Sequence, residues 1–453
     1  MKPAPVIAII GGGFSGISVT AQIAGQAERP VKIIVFNYKY PFSKGVAYHT
    51  TFLSHLLNVP AAGMSFFADE DTHFVNWLEK RNDVGKNPAA RFVQRKIYGD
   101  YITDTFNTQL LHSKIDFLLV EEEVVDIENI DGGFTLLTPS GKSFVADKVV
   151  FAMGNDEPEV PSYVTNEMIN EGVYVNNPWV KESHRLADKK TDIMLLGSGL
   201  TMVDNLLSLL AEGFSGRIHV VSTKGFLPVE FKTALPDTEI LKALKPPYRI
   251  NEVFDIFRRH VHRVRSQGIT GASVVAALRP MTQTIWLQLS AEDKIRFLTH
   301  VRHLWGVARH RLPKEVFDVL SESIASGRLN AMAGRLVGIE MAMTGTLAVI
   351  KQRQASEIVK IPVQRIINCT GPLNNITKSK SVLLQNLFRK KIVVPDALHL
   401  GIQTEADGSI KGIDDNASQL FAIGPLLKGI LWETTAVNEI RQQAKTLAKL
   451  LLQ

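Results

Sequence analysis

Residues 6–26 read VIAIIGGGFSGISVTAQIAGQ, and this stretch decides the fold of the amino-terminal part of the chain. The apolar run Val6 to Ile10 predicts a buried strand, and Ile17 to Ala27 has apolar and small residues at helical spacing. A second β-rich run, Val31 to Phe36, follows the predicted helix. A strand, a helix and a strand within ~30 residues have the length that a right-handed parallel crossover needs. The sequence therefore predicts a parallel α/β unit here.

The loop inside this stretch, Gly11-Gly12-Gly13-Phe14-Ser15-Gly16, has the spacing G-x-G-x-x-G between a predicted strand and a predicted helix. The first glycine of this pattern permits a tight turn, the second lets the backbone approach a pyrophosphate, and the third lets the helix pack closely on the strand. The amino-terminal end of the helix stabilises the phosphate charge. We predict a dinucleotide site at this loop, and a merely tight structural turn is the alternative.

The second predicted strand ends at Asn37, where dinucleotide-binding proteins usually carry an acidic residue that accepts both ribose hydroxyls. The Asn37 amide can accept one hydrogen bond and donate another, but it lacks the charge that strengthens such bonds. We expect Asn37 to contact the ribose. This departure does not distinguish FAD from NAD.

A second glycine loop follows the predicted strand Asp192 to Leu196. It reads Gly197-Ser198-Gly199-Leu200-Thr201-Met202, with Met202 in place of the third glycine. Because that glycine serves packing, the phosphate-binding part survives and the helix should lie further from the strand. We predict nucleotide binding through Gly197, Gly199, Leu200 and Thr201, and a loop that no longer holds a ligand is the alternative.

The strand after the second loop ends in Ser222-Thr223-Lys224-Gly225, so hydroxyls and an ammonium replace the usual acid. Ser222 and Lys224 suit the 2′-phosphate of a ribose, and this favours NADPH over NADH. An ordinary surface lysine is the alternative reading of Lys224.

The fold class that these patterns predict is α/β, with two Rossmann-like dinucleotide-binding domains in discontinuous segments and an all-α insertion. Between the two units, residues 117–127, 133–137 and 148–152 predict short strands of a meander. We expect an FAD-binding domain over residues 1–155 that returns at 376–453, and an NAD(P)-binding domain over 156–246 that returns at 332–375. The helical insertion is expected over residues 247–331, with strands resuming at 336–341.

The composition narrows the class of protein. A chain of 453 residues predicts two or three packed units. Its single cysteine, Cys369, excludes an internal disulfide framework or a multi-cysteine metal site and favours a reducing compartment. No run of ~18 apolar residues occurs, so we expect no transmembrane helix and a cytoplasmic protein. The basic run over residues 258–265 predicts a solvated helix face, with nucleic acid or a membrane surface as the alternative partner.

Several motifs beyond the glycine loops resemble the bacterial FAD/NAD(P)-binding protein family of YdhS-like proteins. The resemblance covers nearly the whole chain, and its motifs are Gly45-Val46-Ala47-Tyr48, Leu57-Asn58-Val59-Pro60-Ala61 with Met64-Ser65, Arg95-Lys96-Ile97-Tyr98-Gly99, Val203-Asp204 after the second loop, Leu278-Arg279-Pro280, Trp305 with Arg309-His310-Arg311, Asn368-Cys369-Thr370-Gly371-Pro372 and Trp432-Glu433-Thr434-Thr435-Ala436-Val437.

This resemblance implies a flavoprotein similar in plan to flavin N-hydroxylases and Baeyer-Villiger type monooxygenases, with FAD at the first loop and NAD(P)H at the second. It places Gly11, Gly13, Gly16 and Asn37 on FAD, and Gly197, Gly199, Ser222 and Lys224 on the nicotinamide cofactor. By the same analogy Asn58, Val59 and Pro60 lie near the isoalloxazine, the backbone around Val124 touches adenine, and Gly424 with Pro425 borders the flavin. Gly154 and Gly371 resemble the strand-ending turns of these proteins. The resemblance does not carry a substrate.

We therefore expect an FAD-dependent NAD(P)H oxidoreductase, with a monooxygenase of a small-molecule substrate as the first hypothesis. A reductase or dehydrogenase without oxygen insertion is the rival enzyme, and a flavin-bearing interaction or sensor protein is the rival class. The motifs of serine hydrolases, zinc proteases and dithiol enzymes are absent from the sequence. We assign no catalytic side chain, since the cofactors supply the reactive atoms. Trp286, Trp305 and Trp432 are read as packing residues rather than flavin-stacking ones.

Overall fold

The computed structural model describes residues 4–81, 85–180, 183–186, 188–342, 345–353, 357–410 and 419–453. Its strands are β1 Val6–Ile10, β2 Val31–Phe36, β3 Ile115–Val120, β4 Asp126–Ile130, β5 Gly133–Leu137, β6 Ser143–Ala146, β7 Lys148–Phe151, β8 Tyr174–Val175, β9 Ile193–Leu196, β10 Ile218–Ser222, β11 Leu329–Ala342, β12 Gly345–Gln352, β13 Ile358–Val363, β14 Arg365–Asn368 and β15 Leu420–Ala422.

The α-helices are α1 Phe14–Gln26, α2 Gly45–Tyr48, α3 His73–Glu79, α4 Arg95–Leu111, α5 Asn166–Asn170, α6 Leu200–Ala211, α7 Glu239–Ala243, α8 Ile250–Ser266, α9 Ala272–Leu278, α10 Thr282–Gln288, α11 Ala291–Arg296, α12 Arg302–Arg309, α13 Lys314–Ala325, α14 Val382–Arg389 and α15 Val437–Leu452. Among the described residues, no helix is both long enough and apolar enough to cross a membrane.

The first sheet is parallel and has the strand order β15-β7-β1-β2-β3. Alternate residues of β1 enter two different cores, with Ile7 and Ile9 on one face and Ala8 and Ile10 on the other. Both faces are therefore covered, as an all-parallel sheet requires. The parallel α/β unit predicted from the first stretch of sequence is confirmed.

The second sheet has the order β13-β12-β11-β10-β9-β14-β8. Strand β11 pairs in parallel with β10 and then, over its second half, antiparallel with β12. We expected a strand from Leu336, whereas β11 begins at Leu329, because its first residues pair with β10 although two of them, Asn330 and Ala331, are exposed. The division of the chain into domains stays a prediction, and its boundary after residue 331 falls inside β11.

The expected meander is partly wrong. Residues 117–127 do not form one strand: β3 ends at Val120 and β4 begins at Asp126, with Glu121 to Glu123 between them. Three consecutive charged side chains interrupt the apolar run, because unpaired carboxylates are costly inside a sheet. Strands β3 and β7 belong to the parallel sheet, and the antiparallel meander consists of β4, β5 and β6.

The helical segment lies between the two halves of the second sheet and runs from α7 to α13. A cluster of apolar side chains forms its core, and Trp432 of the carboxyl-terminal segment packs against that core. Arg258, Arg259 and Arg265 of α8 are exposed. The basic run therefore lies on an exposed helix face, and its reading as a solvated face rather than a partner surface stays a prediction.

Candidate functional site

Two of the glycines in the first loop are required by the protein's own packing. Gly11 has φ +113°, a conformation that side chains rarely adopt, and a Cβ there would overlap the carbonyl oxygen of Ala152. A Cβ at Gly16 would overlap the carbonyl oxygen of Gly11. The absence of a side chain at these two positions therefore allows the strand, the turn and the helix to pack in direct contact.

The middle glycine, Gly13, faces open space instead. A Cβ at Gly13 would meet only the Gly45 Cα, at 3.7 Å. Gly13 is also the N-cap of α1, where neither a capping side chain nor an acidic residue in the first turn neutralises the helix end. Backbone N–H groups and a partial positive charge are thus presented beside an open space, an arrangement suited to a pyrophosphate. Gly154, at the end of β7, also has open space at its Cβ position.

Hydrogen bonds within the protein fix the orientation of the Asn37 side-chain amide. Its backbone N–H donates to Val120, and its side-chain Nδ2 donates to the Tyr40 carbonyl at 2.9 Å. The Oδ1 atom lies on the side of Gly12, 3.0 Å from where a Cβ of that residue would be. An acid at position 37 would turn a carboxylate oxygen toward the Tyr40 carbonyl, so the local backbone favours the amide.

The Gly424-Pro425 turn lies directly against this loop. Gly424 has φ +75°, and a Cβ there would come within 2.8 Å of the Ser15 Oγ. The Thr434 hydroxyl donates to the Gly424 carbonyl at 3.1 Å, and Gln443 of α15 accepts from the Gly424 N–H at 3.2 Å. The first loop, the Gly424 turn and the start of α15 are therefore held in one place.

The segment with Asn58, Val59 and Pro60 is held from both sides. The Leu57 N–H donates to Val93 at 2.8 Å and the Ala61 N–H donates to Arg91 at 2.9 Å. Val124, by contrast, is buried in one of the cores that cover the first sheet.

The second loop repeats the design of the first at two positions. Gly197 has φ +97°, and a Cβ there would overlap the Cys369 carbonyl oxygen. Gly199 is the N-cap of α6, without a capping side chain, and no heavy atom lies within 4 Å of where its Cβ would be. Gly371 in the adjoining turn is open in the same way.

Met202, which replaces the third glycine, is fully buried in the core between α6 and the second sheet. The second loop therefore accommodates a side chain at the position where the first loop has no room for a Cβ. Because Gly199 still faces open space, the substitution changes packing rather than access to the helix end.

Ser222 and Lys224 differ in surroundings. The Ser222 hydroxyl accepts from Ser198 at 2.9 Å and from the Gly225 N–H at 3.0 Å, so it braces the turn. Lys224 lies near the helical segment, because its charge acts on His303 of α12. The pKa of His303 is lowered first by burial and then by the charges of Arg302 and Lys224. Sequence alone does not assign Arg302 and His303 to this region, because the approach of His303 to Lys224 depends on how the helical segment docks.

Lys428 extends this basic region toward the first domain. Burial is the first cause that lowers its pKa to about 8, and the charge of Arg302 is the second. Its ammonium donates to the Asn155 side chain at 2.8 Å, next to Gly154. We name Lys224, Arg302, His303 and Lys428 the basic cluster.

A buried polar contact joins the two dinucleotide-binding units. Arg95 of α4 and Asp204 of α6 form an ion pair at 2.8 Å, with their side chains 15% and 8% exposed. The His55 Nε2 donates to the Asp204 carbonyl at 3.0 Å, and burial lowers the pKa of His55. Two motifs of the family resemblance, around Arg95 and around Asp204, thus meet at the interface.

Three further motifs of the resemblance meet under the helical segment. The Trp305 Nε1 donates to Glu433 at 2.6 Å, and Arg309 pairs with the same carboxylate at 3.2 Å. Arg279 lies 3.7 Å from Glu439 at the start of α15. These contacts attach the helical segment to the chain that follows the Gly424 turn.

Groups of side chains suited to a metal ion are not found among the described residues. Cys369 is buried, and burial raises the pKa of its thiol. It is therefore a core residue, packed with α6 and the second sheet.

Comparison with known proteins agrees with this geometry. Residues 8–156 match a family described as FAD-NAD(P)-binding. Comparison with curated proteins by sequence gives no match.

Solved structures of other proteins are similar to this chain over nearly its whole length. An ornithine N-hydroxylase of Kutzneria sp. 744, in a complex with reduced FAD, NADP⁺ and L-ornithine, is 14% identical, covers 99% of this chain and 98% of its own, and has a TM-score of 0.69. L-lysine 6-monooxygenase of Pseudomonas syringae is 15% identical over 99% of both chains, with a TM-score of 0.62. Thioredoxin reductase of Lactococcus lactis is 9% identical over 99% of this chain and 97% of its own, with a TM-score of 0.52. The chain thus has the fold of two-dinucleotide-domain flavoproteins, and its residues 8–156 match the model of an FAD-NAD(P)-binding family.

Proposed function

We propose that the protein is an FAD-dependent NAD(P)H oxidoreductase, and specifically a monooxygenase that acts on a small molecule. One observation carries the proposal: the two glycine loops each present an open glycine, Gly13 and Gly199, at an uncapped helix end. The same fold occurs in an ornithine N-hydroxylase whose solved structure contains reduced FAD, NADP⁺ and L-ornithine.

FAD is assigned to the first loop, with its pyrophosphate at Gly13 and Phe14 and its ribose at Asn37. The open position at Gly154 and the backbone of Asn58 to Pro60 complete this site, and Gly424 borders it. The support is that Ser15 and Gly424 are in contact, so the first loop and the Gly424 turn face one cleft.

NADPH is assigned to the second loop, with its pyrophosphate at Gly199 to Thr201. The basic cluster favours NADPH over NADH, because a 2′-phosphate close to Lys224 and Arg302 would pair with cationic groups. Ser222 holds the turn that presents Lys224.

Bound flavin would take up hydride from the nicotinamide and activate dioxygen. The chain's own residues hold and orient the two cofactors. The Arg95–Asp204 pair fixes α6 of the second unit against α4 of the first, and the Trp305–Glu433 and Arg309–Glu433 contacts fix the helical segment over the Gly424 turn. Precise relative placement of the two cofactors is what hydride transfer demands.

A reductase without oxygen insertion is the second candidate, and the likeness to thioredoxin reductase favours it. A relay through paired cysteines is excluded, however, because these 453 residues contain one cysteine and Cys369 is buried. Such a reductase would have to pass electrons from flavin straight to its acceptor. A cytoplasmic location belongs to this proposal, since one cysteine suits a reducing compartment.

The test is anaerobic mixing of the FAD-loaded protein with NADPH and, separately, NADH, followed by oxygen electrode measurements across a metabolite screen. We expect faster flavin bleaching with NADPH and faster oxygen consumption when the right substrate is present. Bleaching that yields only hydrogen peroxide with every compound would favour the reductase. A folded protein that neither carries nor takes up FAD at micromolar concentration refutes both candidates.

A further inference from the structure

Two strand-ending turns, one from each dinucleotide-binding unit, meet in the structure. The Leu373 N–H donates to the Asp156 carbonyl at 3.4 Å, which joins the chain after β14 to the chain after β7. Gly154 and Gly371 stand two residues before these contact points, and no heavy atom lies within 4 Å of where the Cβ of either glycine would be. The contact therefore lies beside open space at the carboxyl ends of two parallel strands, which is where α/β proteins bind ligands.

A cation from a third part of the chain is attached to each turn. The Lys428 Nζ donates to the Asn155 Oδ1 at 2.8 Å, and the Arg302 Nη1 donates to the Asn374 Oδ1 at 3.2 Å. Asn155 and Asn374 are the chain neighbours of the two residues in contact, so both cations lie at the same junction. The pKa of Lys428 is lowered first by burial and then by the charge of Arg302, which agrees with this placement.

Most of the hydrogen-bonding capacity of these two cations is unused. An ammonium has three N–H donors and a guanidinium has five. Within the described part of the chain, Lys428 and Arg302 each make one hydrogen bond, and that bond is to a neutral amide. Burial is the cause that lowers the pKa of Arg302, and no carboxylate opposes it. A partly buried cation without a counter-ion is costly, and a bound anion would offset that cost.

The charges around the junction leave room for one negative charge. With a pKa of about 8, Lys428 is still charged at pH 7. The acid whose charge acts on Lys428 is Asp156, and its Oδ2 is buried without a hydrogen-bond partner among the described residues. The next two acids along the chain have cations of their own, in the pairs Glu157–Lys39 and Glu159–Lys378. Lys428 and Arg302 against Asp156 leave one net positive charge, which a singly charged anion would balance.

A carboxylate suits this junction better than a phosphate. Its single charge matches the net charge, and its two coplanar oxygens fit the fork of a guanidinium. A phosphate ester would bring a second negative charge close to Asp156. Lys428 is also the member of the basic cluster that contacts the first unit, where no NADPH phosphate is assigned.

We propose that Lys428 and Arg302 form an anion-binding subsite between the Gly154 and Gly371 turns, and that this subsite takes the carboxylate of a small organic acid, the substrate. The inference rests on the proposed function for the reaction itself. Because Gly154 belongs to the proposed FAD site, a carboxylate held there would place the rest of the acid at the edge of that site. Lys428 is thereby a specificity-determining residue.

The experiment is NMR titration of the FAD-loaded protein at pH 7 and constant ionic strength with propanoate and with propanamide, which are similar in size and differ in charge. Lys428→Gln and Arg302→Gln remove the charges of the subsite, while Lys449→Gln and Arg258→Gln remove exposed cations elsewhere. We expect the wild type and both controls to bind propanoate at least tenfold more tightly than propanamide. Each subsite variant should lose at least tenfold in propanoate affinity and less than threefold in propanamide affinity. Equal affinity of the wild type for both compounds, or no measurable binding of propanoate, overturns the inference.

NADP⁺ distinguishes the two sources of such an anion. With saturating NADP⁺ the propanoate affinity should stay within threefold, whereas displacement of propanoate by NADP⁺ would assign the two cations to a cofactor phosphate and overturn the inference. Flavin content and anaerobic reduction of the wild type by NADPH report on the proposed function separately, because propanoate binding needs no turnover. Should Lys428→Gln fail to load FAD, the decision passes to Arg302→Gln and to the two wild-type comparisons.

Discussion

Replacement of Gly199 by alanine separates a ligand-facing glycine from a structural one. Gly199 has φ −87° and ψ −164°, which alanine can adopt, and its Cβ would meet no heavy atom within 4 Å. The free protein should therefore fold and load FAD normally. The new methyl group would stand where we propose the NADPH pyrophosphate, so one phosphate hydrogen bond is lost. At about 1.5–3 kcal/mol for a bond to a charged group, this loss weakens NADPH binding roughly 10- to 150-fold.

The assay is anaerobic titration of the bound flavin with NADPH, read as the concentration that gives half the maximal reduction rate. Gly306→Ala in α12 is the matched control, since its Cβ also meets open space and alanine favours a helix. Gly16→Ala is the contrasting variant, because its Cβ would overlap the Gly11 carbonyl and should prevent FAD loading. A Gly199→Ala protein with full flavin content and NADPH dependence within threefold of wild type would refute this reasoning.

Three further outcomes are expected. Lys224→Ala should weaken NADPH binding about tenfold and leave NADH unchanged in the same titration, and equal effects on both cofactors would speak against a 2′-phosphate contact. Asn37→Asp should lower the free energy of unfolding in urea by about 1–3 kcal/mol, because the carboxylate cannot donate to the Tyr40 carbonyl, and an unchanged midpoint would contradict this. Burial lowers the pKa of His184 to about 4 against about 6.5 in an unfolded chain, so the unfolded state binds more protons between these values. Stability should therefore fall by up to about 1.4 kcal/mol per pH unit below pH 6.5, and His184→Gln should flatten that slope in melts at pH 7 and pH 5.

Much of the fold follows from local sequence. The apolar run Val6 to Ile10 and the glycine loop after it predict the first crossover, because strand period, turn and helix start all occur within a short segment. The same reasoning fails at Glu121 to Glu123, where an apolar pattern was extended across charges. The prediction was also wrong at Leu329, where the first residues of β11 pair with β10 although Asn330 and Ala331 are exposed, so no buried apolar run marks the start of the strand.

The candidate site was only half predictable for a related reason. Glycines such as Gly11 and Gly197 can be recognised from the sequence, because a positive φ restricts the residue type at their positions. The residues that contact these loops across the interface have no such sequence pattern. His55 contacts Asp204, which lies 149 residues further along the chain, and only the docking of the two units brings them together.

Helix α12 shows most clearly what docking adds to the sequence. Its amino-terminal residues Arg302 and His303 lie toward Lys224, and its later residues Trp305 and Arg309 bind Glu433. One helix therefore connects the region assigned to the NADPH phosphate with the segment that borders the proposed flavin site. Any shift of α12 on binding of one cofactor must move its contacts to the other region, because residues of one helix move together.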